Sequence, residues 1–133
     1  MGTDVPLIVL DTHAWVWWTG AASHLSRSAV TELERADAVG ISTMSFWEVA
    51  RLERAGRMRL DRDLSRWLAA AVADGRTRVL PVTRDIALTA AAVGGEVRDP
   101  ADQIIYATAV EHGARLLSPD TRLQRLDPAR VVW

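Results

Sequence analysis

Asp11, Glu48, Asp102 and Asp120 are acids set against apolar surroundings. Asp11 ends the run Leu7-Ile8-Val9-Leu10. Glu48 lies inside Met44-Ser45-Phe46-Trp47-Glu48-Val49-Ala50. Asp102 opens Asp102-Gln103-Ile104-Ile105-Tyr106-Ala107, and Asp120 closely follows Arg115-Leu116-Leu117-Ser118. A carboxylate withdrawn from water is costly unless a cation or a full set of donors meets it. Acids at four such places point to a shared cation, and ligands that are all oxygen point to Mg²⁺ or Mn²⁺.

Helix capping is the competing explanation for each aspartate. Asp11 precedes a helical segment and can accept from its first free N–H groups. Asp99-Pro100-Ala101-Asp102 reads as a helix start, with Asp99 at the N-cap, Pro100 at the first helical position and Asp102 facing the positive end of the dipole. Ser118-Pro119-Asp120 reads the same way. So does Thr83-Arg84-Asp85, where Asp85 is read as a cap and nothing more. Glu48 resists this explanation, because at helical spacing it shares a stripe with Met44, Leu52 and Ala55. Asp102 shares one with Ile105, Tyr106 and Ala109. An ion pair with an arginine would account for Glu48 alone, whereas one metal accounts for both acids.

The elements that must position these acids alternate. Strands are expected at residues 7–11, 39–42, 79–82 and 115–117, with a possible fifth at 131–133. Helices are expected at 12–18, 25–36, 43–55, 64–73, 84–93 and 99–112, several of them stopped by a glycine. This alternation predicts an α/β fold: a three-layer α/β/α domain around a central parallel sheet of four to five strands. Ligands of such sheets sit beyond the carboxyl ends of the strands, where Asp11 and Asp120 fall.

Composition excludes other chemistry. The chain has 133 residues, which suits a single domain over 1–133. It has no cysteine, so disulfides, thiolate catalysis and cysteine-bound zinc are ruled out. All 16 basic residues are arginine. Without lysine, a Walker A loop and a Schiff-base enzyme cannot be assembled. The same holds for a phospho-receiver site and a haloacid-type phosphatase. Formal net charge is −1, so charge alone gives no strong affinity for nucleic acid.

Basic residues nevertheless gather after Glu48, at Arg51, Arg54, Arg57, Arg59, Arg62 and Arg66. Arg51, Arg54 and Arg57 are candidates for steering phosphate toward the acids. The alternative is a solvated face balanced by Glu53, Asp61 and Asp63. His13, His24 and His112 show no metal-ligand spacing and are left outside the site. Core packing is expected for Trp47. Trp15, Trp17 and Trp18 cannot all point inward from one helical turn, so part of that group is expected at an interface. The first residues lack a basic segment, and no apolar stretch nears the roughly 20 residues of a membrane span, so a cytoplasmic protein is expected.

Four segments together carry a family resemblance: Val9-Leu10-Asp11-Thr12-His13, Ser45-Phe46-Trp47-Glu48-Val49-Ala50, Asp99-Pro100-Ala101-Asp102-Gln103-Ile104-Ile105-Tyr106-Ala107-Thr108-Ala109 and Leu117-Ser118-Pro119-Asp120. In this order they resemble the motifs of PIN-domain ribonucleases, and most closely the VapC toxins of VapBC toxin–antitoxin pairs. The resemblance implies an acidic quartet of Asp11, Glu48, Asp102 and Asp120, with Asp99 auxiliary and hydroxyls from Thr12 and Ser118 beside it. It implies that Asp11, Asp102 and Asp120 hold Mg²⁺ or Mn²⁺ while Glu48 binds a second ion or orients water. It implies RNA cleavage leaving a 5′-phosphate and a 3′-hydroxyl. It further implies a homodimer and a VapB-like antitoxin that wraps the early helices and places an arginine among the acids. Gln103 stands where such toxins commonly carry arginine, and Ser118-Pro119 replaces a threonine-containing turn, which bears on substrate contacts rather than on metal. Two other readings remain open: a housekeeping RNA-processing or structure-specific DNA nuclease of the same fold, and a PIN-like binding module without catalysis.

Overall fold

A computed structural model describes residues 6–133; the reading of the first five residues lies outside it. The elements alternate as their sequences require. They run β1 (Leu7–Leu10), α1 (Thr12–Gly20), α2 (Arg27–Arg35), β2 (Ala38–Ser42), α3 (Thr43–Arg54), α4 (Leu64–Ala71), β3 (Thr77–Leu80), α5 (Arg84–Ala91), α6 (Pro100–Glu111), β4 (Arg115–Leu117), α7 (Thr121–Leu126) and β5 (Val131–Val132). Among the described residues the strands form one sheet in the order β3-β2-β1-β4-β5, with every neighbouring pair parallel. The expected three-layer α/β/α architecture is borne out, with five strands.

The sheet is apolar on both faces because successive side chains alternate across it. Ile8 and Leu10 of β1 join Val39, Ile41 and Leu117 on one face, where Trp15, Leu33, Val49 and Trp67 cover them from α1, α2, α3 and α4. Val9, Leu116 and Val131 point to the other face, under Ile105 and Ala109 of α6 and Leu123 of α7. Helix α5 packs on α6 through Ile86 and Ala90 against Ala107. Gly40 in β2 is small for a packing reason: a Cβ there would lie 2.5 Å from Leu80 Cδ1 and 3.3 Å from Leu7 Cδ1. Those leucines fill the space on the second face.

Strand β1 is the centre of the sheet. The chain leaves it toward β2 and β3 on one side and later returns to β4 and β5 on the other. The crevice where the direction of winding changes therefore lies between the carboxyl ends of β1 and β4, the usual ligand position in such sheets. Pairing continues one step beyond β1, since Asp11 N–H donates to the Leu117 carbonyl at 3.1 Å. Asp11 is thereby fixed at the mouth of the crevice.

Several boundaries differ from those expected. The second helix starts at Arg27, two residues later than expected, because Ser26 caps it by accepting from Ala29 N–H at 3.0 Å. Thr83, not Asp85, caps α5, its hydroxyl accepting from Ile86 N–H at 3.2 Å. Strand β3 begins at Thr77 and ends at Leu80, ahead of the expected 79–82. Helix α7 was not expected at all; it spans six residues, too few to show a helical period.

Candidate active site

Asp11 is the N-cap of α1. Its Oδ1 accepts from Ala14 N–H at 2.8 Å and its Oδ2 from the Ser118 hydroxyl at 2.5 Å. The capping explanation is thus true of Asp11, yet it does not empty the residue of other uses, because a carboxylate has about four acceptor positions. Burial pushes Asp11 up to about 6 from its ordinary 3.8, and Glu48 adds to this. The Ser118 hydroxyl, the Ala14 amide and the nearby His13 pull the other way. Ser118 also accepts from Asp120 N–H at 3.1 Å, so this fully buried hydroxyl ties the end of β1 to the turn after β4.

Glu48 is placed by packing beneath it. Trp15 of α1 is fully buried, donates its indole N–H to the Ala71 carbonyl at 3.1 Å, and meets Phe46 at a tilt and Trp67 edge-on, at 4.9 and 5.1 Å between ring centroids. This locks α1 against α3 and α4. Ser45 and Val49 then face inward, and Glu48 turns toward α1. The Thr12 hydroxyl donates to Glu48 Oε1 at 2.5 Å and lies 3.0 Å from Ser45 Oγ. The partner of Glu48 is a hydroxyl, so the expected alternative of an arginine ion pair does not hold.

Asp102 lies in the first turn of α6, which Asp99 caps by accepting from Ala101 N–H at 2.9 Å. Asp102 is half-buried and no described group donates a hydrogen bond to it. Burial first, and then the charges of Asp99, Glu48, Asp120 and Asp11, push it up to about 7. Asp120 caps α7 through Arg122 N–H at 2.8 Å and meets the Arg122 guanidinium at 3.2 Å. Burial raises Asp120, but Arg122 and the backbone donors outweigh it and hold this carboxyl below its ordinary value.

These residues share one cavity of about 330 Å³, lined by Asp11, Thr12, His13, Glu48, Asp99, Asp102, Pro119, Asp120 and Arg122. All four acids of the expected quartet, together with Asp99 and Thr12, reach it from four different parts of the chain; Ser118 sits behind the cavity and braces Asp11. Among the described residues, no three His, Asp or Glu side chains are drawn close enough to grip one ion together. The donor set still fits a hard divalent ion. Mg²⁺ takes one or two carboxylates and keeps several waters. Asp102, a carboxylate without a donor among the described residues, is in that position.

Residues 8–128 match the PIN domain model. The chain belongs to the PIN-domain family. It is 36% identical over 129 residues to Ribonuclease VapC22 of Mycobacterium tuberculosis, which spans 95% of this chain and 98% of that protein. The VapC resemblance is therefore borne out. The PIN fold also superposes on a toxin–antitoxin complex from Klebsiella pneumoniae (TM-score 0.65, 22% identity, 95% of this chain and 96% of that one). A further fold neighbour is VapBC2 from Rickettsia felis bound to a promoter DNA fragment (TM-score 0.62, 14% identity, 95% and 97%).

Outside the acids this PIN domain departs from several expectations. Arg51 and Arg57 line a groove next to the acidic cavity, but Arg54 lies on another, beside Leu64. Arg62 and Arg66 pair with Asp61 and Asp63, as the solvated-face alternative holds. Trp47 is not in the core: it is 51% exposed, with Arg51 5.1 Å from its ring centroid. Trp17 and Trp18 are half-buried, in keeping with three tryptophans that cannot all point inward. Gln103 donates to the Val97 carbonyl at 2.9 Å and so braces the approach to α6. His13, left outside the site on spacing, lines both the acidic cavity and the groove next to it. Arg122 also lines the cavity, and the sequence signal for it is its distance of two residues from Asp120.

Proposed function

We propose that this PIN domain is a metal-dependent endoribonuclease and the toxin of a type II toxin–antitoxin pair. One observation carries the reading. Four carboxylates from separate elements line a single cavity at the crevice of the sheet, and the half-buried Asp102 among them has no donor among the described residues. Kinship to a ribonuclease over nearly the whole chain supports RNA as substrate.

Asp11, Asp102 and Asp120 would hold Mg²⁺ or Mn²⁺ partly through bound water, since no three of the described carboxylates are close enough to grip one ion directly, with Asp99 close by. The bound ion supplies Lewis-acid polarisation of the phosphoryl group and activation of water. Ser118 and the Ala14 amide hold Asp11 in one orientation. Thr12 holds Glu48, whose second oxygen is left to orient the attacking water and take its proton. Asp120 must share its charge with Arg122, whose guanidinium can follow the phosphate instead. Arg51 and Arg57, which pair with no carboxylate among the described residues, offset the repulsion between RNA and the acidic cavity.

A VapB-like antitoxin is the proposed partner, alongside a second copy of the chain in a homodimer. A groove of about 390 Å³ between Trp18, Leu25, Val30, Leu33 and Arg76 offers apolar surface on the early helices. An antitoxin arginine reaching Asp102 would supply the donor that this carboxylate lacks. Among the described residues no helix is long and apolar enough to cross a membrane, and action on cytoplasmic RNA is the proposed setting.

The test is cleavage of a defined single-stranded RNA by the purified protein. Cleavage with Mg²⁺, its loss in EDTA, and 5′-phosphate ends are expected. In the same assay the Arg51→Ala, Arg57→Ala double variant raises KM and flattens its salt dependence. Absence of any Mg²⁺-dependent cleavage, with the fold verified, would overturn the proposal.

A further inference from the structure

Trp47 directly precedes Glu48 on α3, yet half of it is open to solvent while Trp15 and Trp67 are buried. A single exposed aromatic side chain is ordinary on a protein surface, and what distinguishes Trp47 is its position beside the acidic cavity. The ring stands between two grooves. One, of about 390 Å³, joins it to His13, Glu48, Arg51, Arg57 and Asp99. His13, Glu48 and Asp99 also line the acidic cavity, so the two spaces adjoin. The second groove runs past the ring beside Arg54 and Leu64. Arg51 lies over the ring at 5.1 Å from its centroid, and the remaining exposure leaves ring surface for another planar group.

We propose that Trp47 is the stacking platform for one unpaired nucleobase next to the scissile phosphate, with Arg51 and Arg57 taking the adjoining backbone phosphate. The proposal rests on the ribonuclease reading and adds a substrate subsite to it. Its chemistry is that of single-strand recognition: any base offers a π-face, and aromatic stacking next to arginine holds it without reading its edge. The neighbouring charges favour this occupant. A nucleotide brings a flat apolar base to the ring and an anion to the two arginines, while its other phosphate lies toward the acidic cavity where an ion can receive it. A base inside a duplex is already stacked on its neighbours and cannot reach Trp47, so the subsite selects single-stranded segments.

The test compares steady-state cleavage of a single-stranded RNA, and of the same cleavage site held in a duplex, by wild type, Trp47→Ala and Trp47→Phe with Mg²⁺. Trp47→Ala is expected to raise KM for the single strand by about tenfold, the size of one lost stacking contact, with kcat changed by no more than roughly twofold. Trp47→Phe, which keeps a ring, is expected to recover most of the loss. The preference for single strand over duplex should shrink in Trp47→Ala. A KM for Trp47→Ala equal to that of wild type would overturn the stacking role alone and leave the ribonuclease standing. Phe and Ala variants impaired alike would do the same. A wild type that cleaves no RNA would sink both.

Discussion

Asp11→Asn is expected to lower RNA cleavage by about a thousandfold, the loss of several kcal/mol of charge stabilisation at the reacting phosphate, while the protein stays folded. The geometry separates the two effects. Asparagine retains an Oδ1 that can accept from Ala14 N–H, so the cap of α1 survives. The Ser118 hydroxyl, which donates to Asp11 Oδ2, can rotate to accept from the new amide. Only the negative charge is lost. Initial rates on a defined RNA, with circular dichroism alongside, check this. A variant within tenfold of wild type, in a preparation free of other nucleases, contradicts it.

Asp102→Asn is expected to stabilise the metal-free protein at pH 8 by about 2 kcal/mol, a figure discounted for the partial exposure of the group, and to abolish cleavage. The sign follows from burial and from the surrounding acids, which push Asp102 up to about 7 from an ordinary 3.8. The folded state therefore holds this proton more tightly than the unfolded chain. Below about pH 4 the group is protonated in both states and contributes nothing. Stability falls as pH rises from there, and above about pH 7 the full penalty is present. Asp11, pushed up to about 6, acts in the same direction. Urea denaturation in EDTA should show wild type losing stability between pH 5 and 8 and the variant losing less. A variant no more stable than wild type at pH 8 would contradict this origin of the shift.

The central strand and the alternation of elements were legible because each rests on local pattern, whereas the gathering of the acids was carried by the family resemblance. Leu7 to Leu10 is a short branched apolar run that reads as a buried strand, and Asp11 at its end is placed by the sheet itself. Glu48 was legible as an acid on an apolar stripe, although the hydroxyl of Thr12 as its partner was not, since that contact spans 36 positions. Capping and cavity lining looked like rival accounts of Asp11, Asp99 and Asp120. They coincide, because α1 and α7 begin directly after β1 and β4, and α6, which leads into β4, starts with its cap Asp99 at the same cavity.

What stayed hidden depends on angles that spacing does not resolve. Phe46 and Trp47 are adjacent apolar residues, and which of them faces the core is decided by Trp15, whose ring meets Phe46. The split among the arginines is similar. Arg62 and Arg66 find carboxylates within three positions, whereas Arg51 and Arg57 lie on the turns of α3 and just beyond it that face the acids. Arg122 became visible only with α7, a helix too short for its period to be read.

The most direct test of a shared acidic metal site is titration of Mn²⁺ into the metal-stripped protein, followed by the paramagnetic resonance signal of the free ion. Saturable binding is predicted for wild type, with affinity at least about a hundredfold weaker in the Asp11→Asn, Asp102→Asn double variant. Equal binding by the two proteins would contradict the account.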